Sequence, residues 1–202
     1  QEKLYKDIAS DNLGSAETWE TLISGKGSTK ENWEKAVEIM PIMATIRNLR
    51  NLLDKEISND KLYEVANKLV DEKIIRNSKQ FPFRFLSAYK SIEDHSNHNA
   101  GKLLTALNTA IEISIKNLPR FDGVTAAFAD NSGSMDSCIS EKSEVRAHEI
   151  ANVFAAIISK LSQNNIIGTF AEEFKVINFA AQDSVLSTAQ RIRQIDVGSS
   201  TH

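Results

Sequence analysis

The stretch FADNSGSMDSC, residues 128–138, crowds oxygen-bearing side chains onto one tight turn. An apolar run, VTAAFA, leads straight into Asp130, Asn131, Ser132, Gly133 and Ser134. A carboxylate at i and hydroxyls at i+2 and i+4 can converge on one hard cation if Gly133 lets the turn close. Magnesium suits that set, because it takes oxygen ligands and keeps several waters. One carboxylate leaves residual positive charge on the ion, which could recruit an acidic group from a partner. The competing reading is a serine-rich turn in which Asp130 only caps the next helix. VGSSTH, at the chain end, adds Thr201 after a later helix, where a further ligand hydroxyl is expected.

A second group of residues suits nucleic acid. Residues 73–92 carry Lys73, Arg76, Lys79, Arg84 and Lys90 and not one acid. Phe81, Phe83, Phe85 and Tyr89 interleave with them. Basic groups can track phosphates while aromatic faces stack bases. At helical spacing Phe83 and Phe85 are more often core residues, and that is the expectation for those two. In RNLRNLL, Arg47 and Arg50 share a face, with Asn48 and Asn51 beside them. Their forked donors suit phosphates and base edges. Salt bridges between repeats, or capping of a neighbouring helix by the asparagines, would use the same groups. His95 and His98 sit in a polar loop without further ligands and read as loop residues, and His148 reads as structural.

Little points to catalysis. Phosphoryl chemistry wants more carboxylates near an ion. The G-x-S-x-G elbow of serine hydrolases is absent, no base pairs obviously with Ser132 or Ser134, and Cys138 has no histidine at a readable spacing. The expectation is binding rather than turnover.

The elements that must position these groups fall into two halves. Up to residue 118 the pattern is helical. IMATIRNLRNLLDKEI places Met43, Ile46, Leu49, Leu53 and Ile57 on one stripe, which predicts a single helix. KLYEVANKLVDEKII repeats the pattern with Leu62, Val65, Ala66, Leu69 and Ile74. TWETLISG and ENWEKAVEIM read as shorter helices about a GKGS turn, with Ser28 or Thr29 as N-cap. Pro41 and Pro82 each open a helix, at a separation within the period of stacked HEAT or armadillo helix pairs. Two unrelated helix starts would look the same.

After Pro119 the order becomes strand (VTAAFA), helix (SEVRAHEIANVFAAIISKLSQ), strand (NIIGTFA), strand (FKVINFA), helix (SVLSTAQRIRQI). This order predicts an α/β layered unit with a largely parallel sheet. NIIGTFAEEFKVINF would be a hairpin turning at Glu172 and Glu173. Asp130 then lies at the carboxyl end of the first strand, where ligands gather in open α/β sheets.

The 202 residues suffice for one large unit or two small ones. With 41% hydrophobic and 25% charged residues, the chain can build a core. A net charge of -3 argues against a molecule-wide field for nucleic acid, leaving only a local patch. One cysteine rules out an internal disulfide framework and fits a reducing, cytoplasmic setting. No apolar run approaches a membrane span, and no signal peptide is evident. The start at Gln1 and the end after GSSTH suggest a piece of something longer.

Two resemblances follow from these motifs. DNSGSM resembles the metal-ion-dependent adhesion site of von Willebrand factor A-like domains. That resemblance implies Asp130 bound through water, Ser132 and Ser134 bound directly, and Thr201 as the threonine ligand of a divalent cation, Mg2+ by its chemistry. It implies a further aspartate from a later strand, which this chain does not contain. TWETLISGKGS, NWEKAVEIMPIMATIRNLRNLL and FPFRFLSAYKSI resemble the TROVE module of the Ro ribonucleoprotein autoantigen family, in which such a module precedes an A-like domain. The implied architecture is the C-terminal part of a HEAT-like helical module over residues 1–118. An incomplete Rossmann-like, von Willebrand factor A-type α/β domain follows over 119–202. The implied function is an RNA-binding scaffold for small structured noncoding RNAs of the Y type and for single-stranded ends of misfolded RNAs. A protein partner would dock through the metal, and neither catalysis nor a nucleotide cofactor is implied. The alternative is a metal-dependent protein-interaction adaptor with no RNA role. Arg47, Arg50, Arg76, Lys79, Arg84 and Lys90 are the residues expected to meet RNA.

Overall fold

A computed structural model describes residues 18–141, 143–179 and 182–200. Among the described residues eight α-helices precede the first strand: α1 (Trp19–Lys26), α2 (Lys30–Ile39), α3 (Ile42–Arg47), α4 (Leu49–Asp54), α5 (Asn59–Val70), α6 (Glu72–Ser78), α7 (Pro82–Ile92) and α8 (Ala100–Ser114). The α/β part then runs β1 (Phe121–Asp130), α9 (Ala147–Leu161), β2 (Ser162–Phe170), β3 (Phe174–Ile177) and α10 (Val185–Arg193). The two expected architectures, helical then α/β, therefore follow one another in the expected order.

Local chemistry explains the boundaries. Thr29 caps α2 by accepting from the Asn32 amide at 3.3 Å. Pro82 occupies the first turn of α7, where no N–H is needed. The single helix expected over residues 42–57 is two. At Asn48 the side-chain Nδ2 donates to the Ala44 carbonyl at 2.9 Å, and the Asn48 amide is shared between the Ala44 and Thr45 carbonyls. This local bonding competes with the helical ladder and breaks it between α3 and α4. Asp71 likewise divides α5 from α6 by accepting from the Ile74 amide at 2.8 Å. That break rotates the apolar stripe, so Ile75 is buried and Ile74 is exposed.

The core is continuous across both halves. α5, α6 and α7 pack on α8, and α10 reaches α8 as well. Leu49, Leu52, Leu62, Leu69, Phe85, Leu103 and Leu107 share one apolar cluster with Val153, Ile157 and Leu161 of α9 and Val185 and Ala189 of α10. Each fully buried leucine or phenylalanine among them stabilises the fold by roughly 1.5–3 kcal/mol. Polar ties reinforce the seam: Glu112 on α8 accepts from the Val185 amide at 2.6 Å and pairs with Lys160 at 3.2 Å.

The sheet has the order β1-β2-β3. β1 and β2 are parallel, with Asp130 opposite Phe170, and β2 and β3 form an antiparallel hairpin with Gly168 opposite Val176. The sheet is thus mixed rather than largely parallel, because the short connection after Phe170 allows only an antiparallel return. α9 covers one face, over Ala127, Ala129 and Ile167. On the other face the rings of Phe128 and Phe174 meet edge to face over Gly168, with centroids 5.0 Å apart.

Candidate metal turn and basic face

β1 ends at Asp130, and the chain is fixed at once by Asn131. The Asn131 amide donates to the Phe170 carbonyl at 2.9 Å, extending the parallel ladder by one residue. Its buried side chain donates to Thr169 Oγ1 at 2.7 Å and to the Ile192 carbonyl at 3.3 Å, and accepts from Asn152 Nδ2 at 2.9 Å. β1, β2, α9 and α10 are therefore tied at one amide. Asp130 Oδ1 accepts from the Ser132 amide at 2.9 Å, which bends the chain back on itself. The helix-capping alternative for Asp130 is not what is seen: the carboxylate caps this turn, and α9 starts only at Ala147.

The bend brings the Ser132 and Ser134 hydroxyls within 3.1 Å of each other. Neighbouring ligands on an octahedral magnesium, with bonds of about 2.1 Å, also stand about 3 Å apart. The separation of the two hydroxyls thus matches that of adjacent positions on such an ion. No cluster of three or more His, Cys, Asp or Glu side chains suited to a metal occurs among the described residues, so hydroxyls would carry much of the ligation. Thr201 lies outside the described residues. The segment just before it packs on the turn: the Gly133 amide donates to the Ser199 carbonyl at 2.7 Å. A Cβ at Gly133 would approach that carbonyl to 3.3 Å, so a glycine suits the position.

Several charged groups around the turn were not singled out by sequence reasoning. Arg193 donates to the Asn131 carbonyl at 3.2 Å and to Asp136 at 2.7 Å. His148 Nε2 stands 3.3 Å from the same Asp136 oxygen, while its Nδ1 is buried and without a hydrogen bond. Burial and the Arg193 guanidinium hold the His148 pKa below its ordinary value, against the opposing pull of Glu149 and Asp136. Glu172 accepts from the Ser199 and Ser200 amides at 3.2 and 3.1 Å. Spacing alone could not bring these groups together, because Arg193 and Glu172 reach the turn from other elements.

The basic residues separate by position. Lys79 and Arg84 are exposed. Lys79 sits in the left-handed region, φ 53°, where it ends α6. The Arg84 guanidinium lies 5.2 Å over the Phe83 ring. Arg76 is exposed but held by Asn117 at 3.3 Å and Glu72 at 3.6 Å. Arg47 is exposed on α3. Arg50 pairs with Glu144 at 3.3 Å, a salt bridge to the α/β half and not one between helical repeats. Lys90 needs correction. Its half-buried ammonium lies between Glu93 at 2.7 Å and Glu149 at 2.8 Å, so it ties α7 to α9 instead of facing outward. Burial opposes its charge, but hydrogen bonds to Glu149 and Glu93 outweigh that and raise its pKa. Phe85 is fully buried, as the core reading has it, and Phe83 is partly exposed. His95 is pinned to Asp54 at 2.9 Å.

The TROVE domain family matches residues 11–146, two thirds of the sequence. The chain belongs to this family. The match runs through α1–α8 and on through β1 and the Asp130 turn. Over 83 residues, or 40% of the chain, it is 43% identical to mouse and 42% identical to rat telomerase protein component 1. It spans only 3% of the length of those two relatives. The fold is similar to the crystal structure of the Deinococcus radiodurans Ro (Rsr) protein, with a TM-score of 0.69 at 19% identity, over 86% of this chain and 37% of that one.

Proposed function

We propose that this TROVE segment is part of an RNA-binding ribonucleoprotein scaffold and does no chemistry of its own. The observation that carries the reading is the exposure of Lys79 and Arg84, on a chain that belongs to the TROVE family. The RNAs we assign are small structured noncoding RNAs of the Y type and single-stranded ends of misfolded RNAs, which would place the protein in noncoding RNA quality control in the cytoplasm. No helix among the described residues is long and apolar enough to cross a membrane. Lys79, Arg84, Arg76 and Arg47 would contact RNA.

The Asp130 turn is assigned a separate role, as the adhesion-type metal site of a von Willebrand factor A-like domain. The 3.1 Å approach of the Ser132 and Ser134 hydroxyls favours it. Asp130, Ser132 and Ser134, with Thr201, would hold a magnesium ion whose residual charge attracts a partner carboxylate. Without RNA binding, this turn alone would define a metal-dependent adaptor. The two readings separate in the intact protein. Affinity for a small structured RNA should fall severalfold in the Lys79→Gln/Arg84→Gln variant and stay constant on chelation. Magnesium binding, read by calorimetry, should vanish in Asp130→Ala. RNA affinity indifferent to both basic residues would refute the RNA assignment, and magnesium bound equally by Asp130→Ala would refute the metal assignment.

A further inference from the structure

We propose that an open apolar groove between α7 and α9 receives one unstacked base of a single-stranded RNA, with Lys79 and Arg84 holding the flanking phosphates. This deepens the RNA reading above and rests on it. The groove has a volume of about 320 Å³ and is lined by Phe81, Phe83, Leu118, Ile150, Phe154 and Ile157. That is near the lower limit of small-ligand sites, roughly 300–1,000 Å³, and so suits one planar group better than a folded element. Two large aromatic side chains stand open at its mouth, Phe81 at 57% and Phe154 at 49% exposure.

The Phe81 and Phe83 rings lie nearly parallel, 12° apart, with centroids at 5.9 Å, and Arg84 stands over Phe83. Phe81 is thus stacked with a second ring, which itself carries the Arg84 guanidinium. Lys79 ends α6 in a left-handed turn that leads the chain directly into Phe81. A second cavity of about 350 Å³ shares Phe81 and Leu118 with the groove and is bordered by Arg76, Lys79 and Asn117. Apolar floor and basic rim are therefore continuous. The nearby acid Glu72 is already paired with Arg76 and Lys116. A flat π surface with cations beside it matches a base flanked by phosphates. An apolar peptide segment would use the floor but not the rim.

The test uses the intact protein and two short single strands of equal length, polyadenylate and the same strand made of abasic sugars. Phe81→Ala should weaken polyadenylate binding roughly 5- to 150-fold, the range that one stacked base accounts for. Binding of the abasic strand should not change, and Phe81→Trp should restore affinity for polyadenylate. Phe81 is exposed, and an unchanged melting temperature would show that the fold is intact. If polyadenylate binds Phe81→Ala as it binds the parent, the groove takes no base, even though the RNA reading stands. If neither strand nor a structured RNA binds the parent, the RNA reading itself falls. Binding of an uncharged apolar peptide that Phe81→Ala abolishes, with polyadenylate affinity unchanged in that variant, would assign the groove to protein and overturn the proposal.

Discussion

Asn131 is a buried amide on which β1, β2, α9 and α10 meet. Asn131→Ala leaves the Asn152 amide and the Thr169 hydroxyl short of partners, so it should cost about 2–4 kcal/mol in chemical denaturation. His148 should make stability depend on pH. Its folded pKa lies below the ordinary 6.5, because burial and Arg193 oppose the proton more than Glu149 and Asp136 favour it. Its contribution is complete above that value and is lost as the pH falls through the lowered one, since the unfolded chain binds the proton more readily. Denaturation midpoints should decline on acidification, by at most about 1.4 kcal/mol per pH unit for one proton, and His148→Gln should flatten that decline. The oxygen-rich turn at a strand end was legible in DNSGSM, since Asp130, Ser132 and Ser134 follow one another as a local pattern. The groups that brace the turn were not, because Arg193 and Glu172 reach it only through the tertiary fold.

The elements were legible where periodicity was long and uninterrupted, as in α9. They were misread where one polar side chain could bond its own backbone. Asn48 breaks the expected helix by returning to Ala44, and Asp71 moves the buried position from Ile74 to Ile75. The hairpin was readable from its two-glutamate turn, whereas the parallel bias of the sheet was not met, because β3 returns directly beside β2. Gly168 tests that hairpin. A Cβ there would lie 2.9 Å from the Lys175 carbonyl and 3.0 Å from the Phe128 ring. Gly168→Ala should therefore destabilise by about 1–3 kcal/mol through overpacking. Loss of protection at the β3 amides in hydrogen exchange would place the damage in the hairpin.

At the scale of the whole molecule, the helical and α/β halves share one apolar core and a few polar ties, and those ties differ in weight. Lys90 lies half-buried between Glu93 and Glu149, whereas Arg50 and Glu144 are 58% and 60% exposed. Lys90→Ala should lower stability by about 1 kcal/mol or more, because it strands two carboxylates, while Arg50→Ala should change it little. The sequence placed Lys90 among the RNA-facing residues because an acid-free stretch looks uniform along the chain, and Glu149 approaches it from an element far away in sequence. The same stretch, once folded, leaves Lys79 and Arg84 exposed. RNA binding by this face is tested most directly by the salt dependence of single-stranded RNA affinity for the intact protein and its Lys79→Gln/Arg84→Gln variant. We predict a parent affinity that falls steeply with salt, and a variant slope shallower by about 0.7 for each phosphate that the variant no longer neutralises. Equal slopes for the two proteins, or no binding by the parent at low salt, would contradict the claim that this face of the TROVE segment holds RNA.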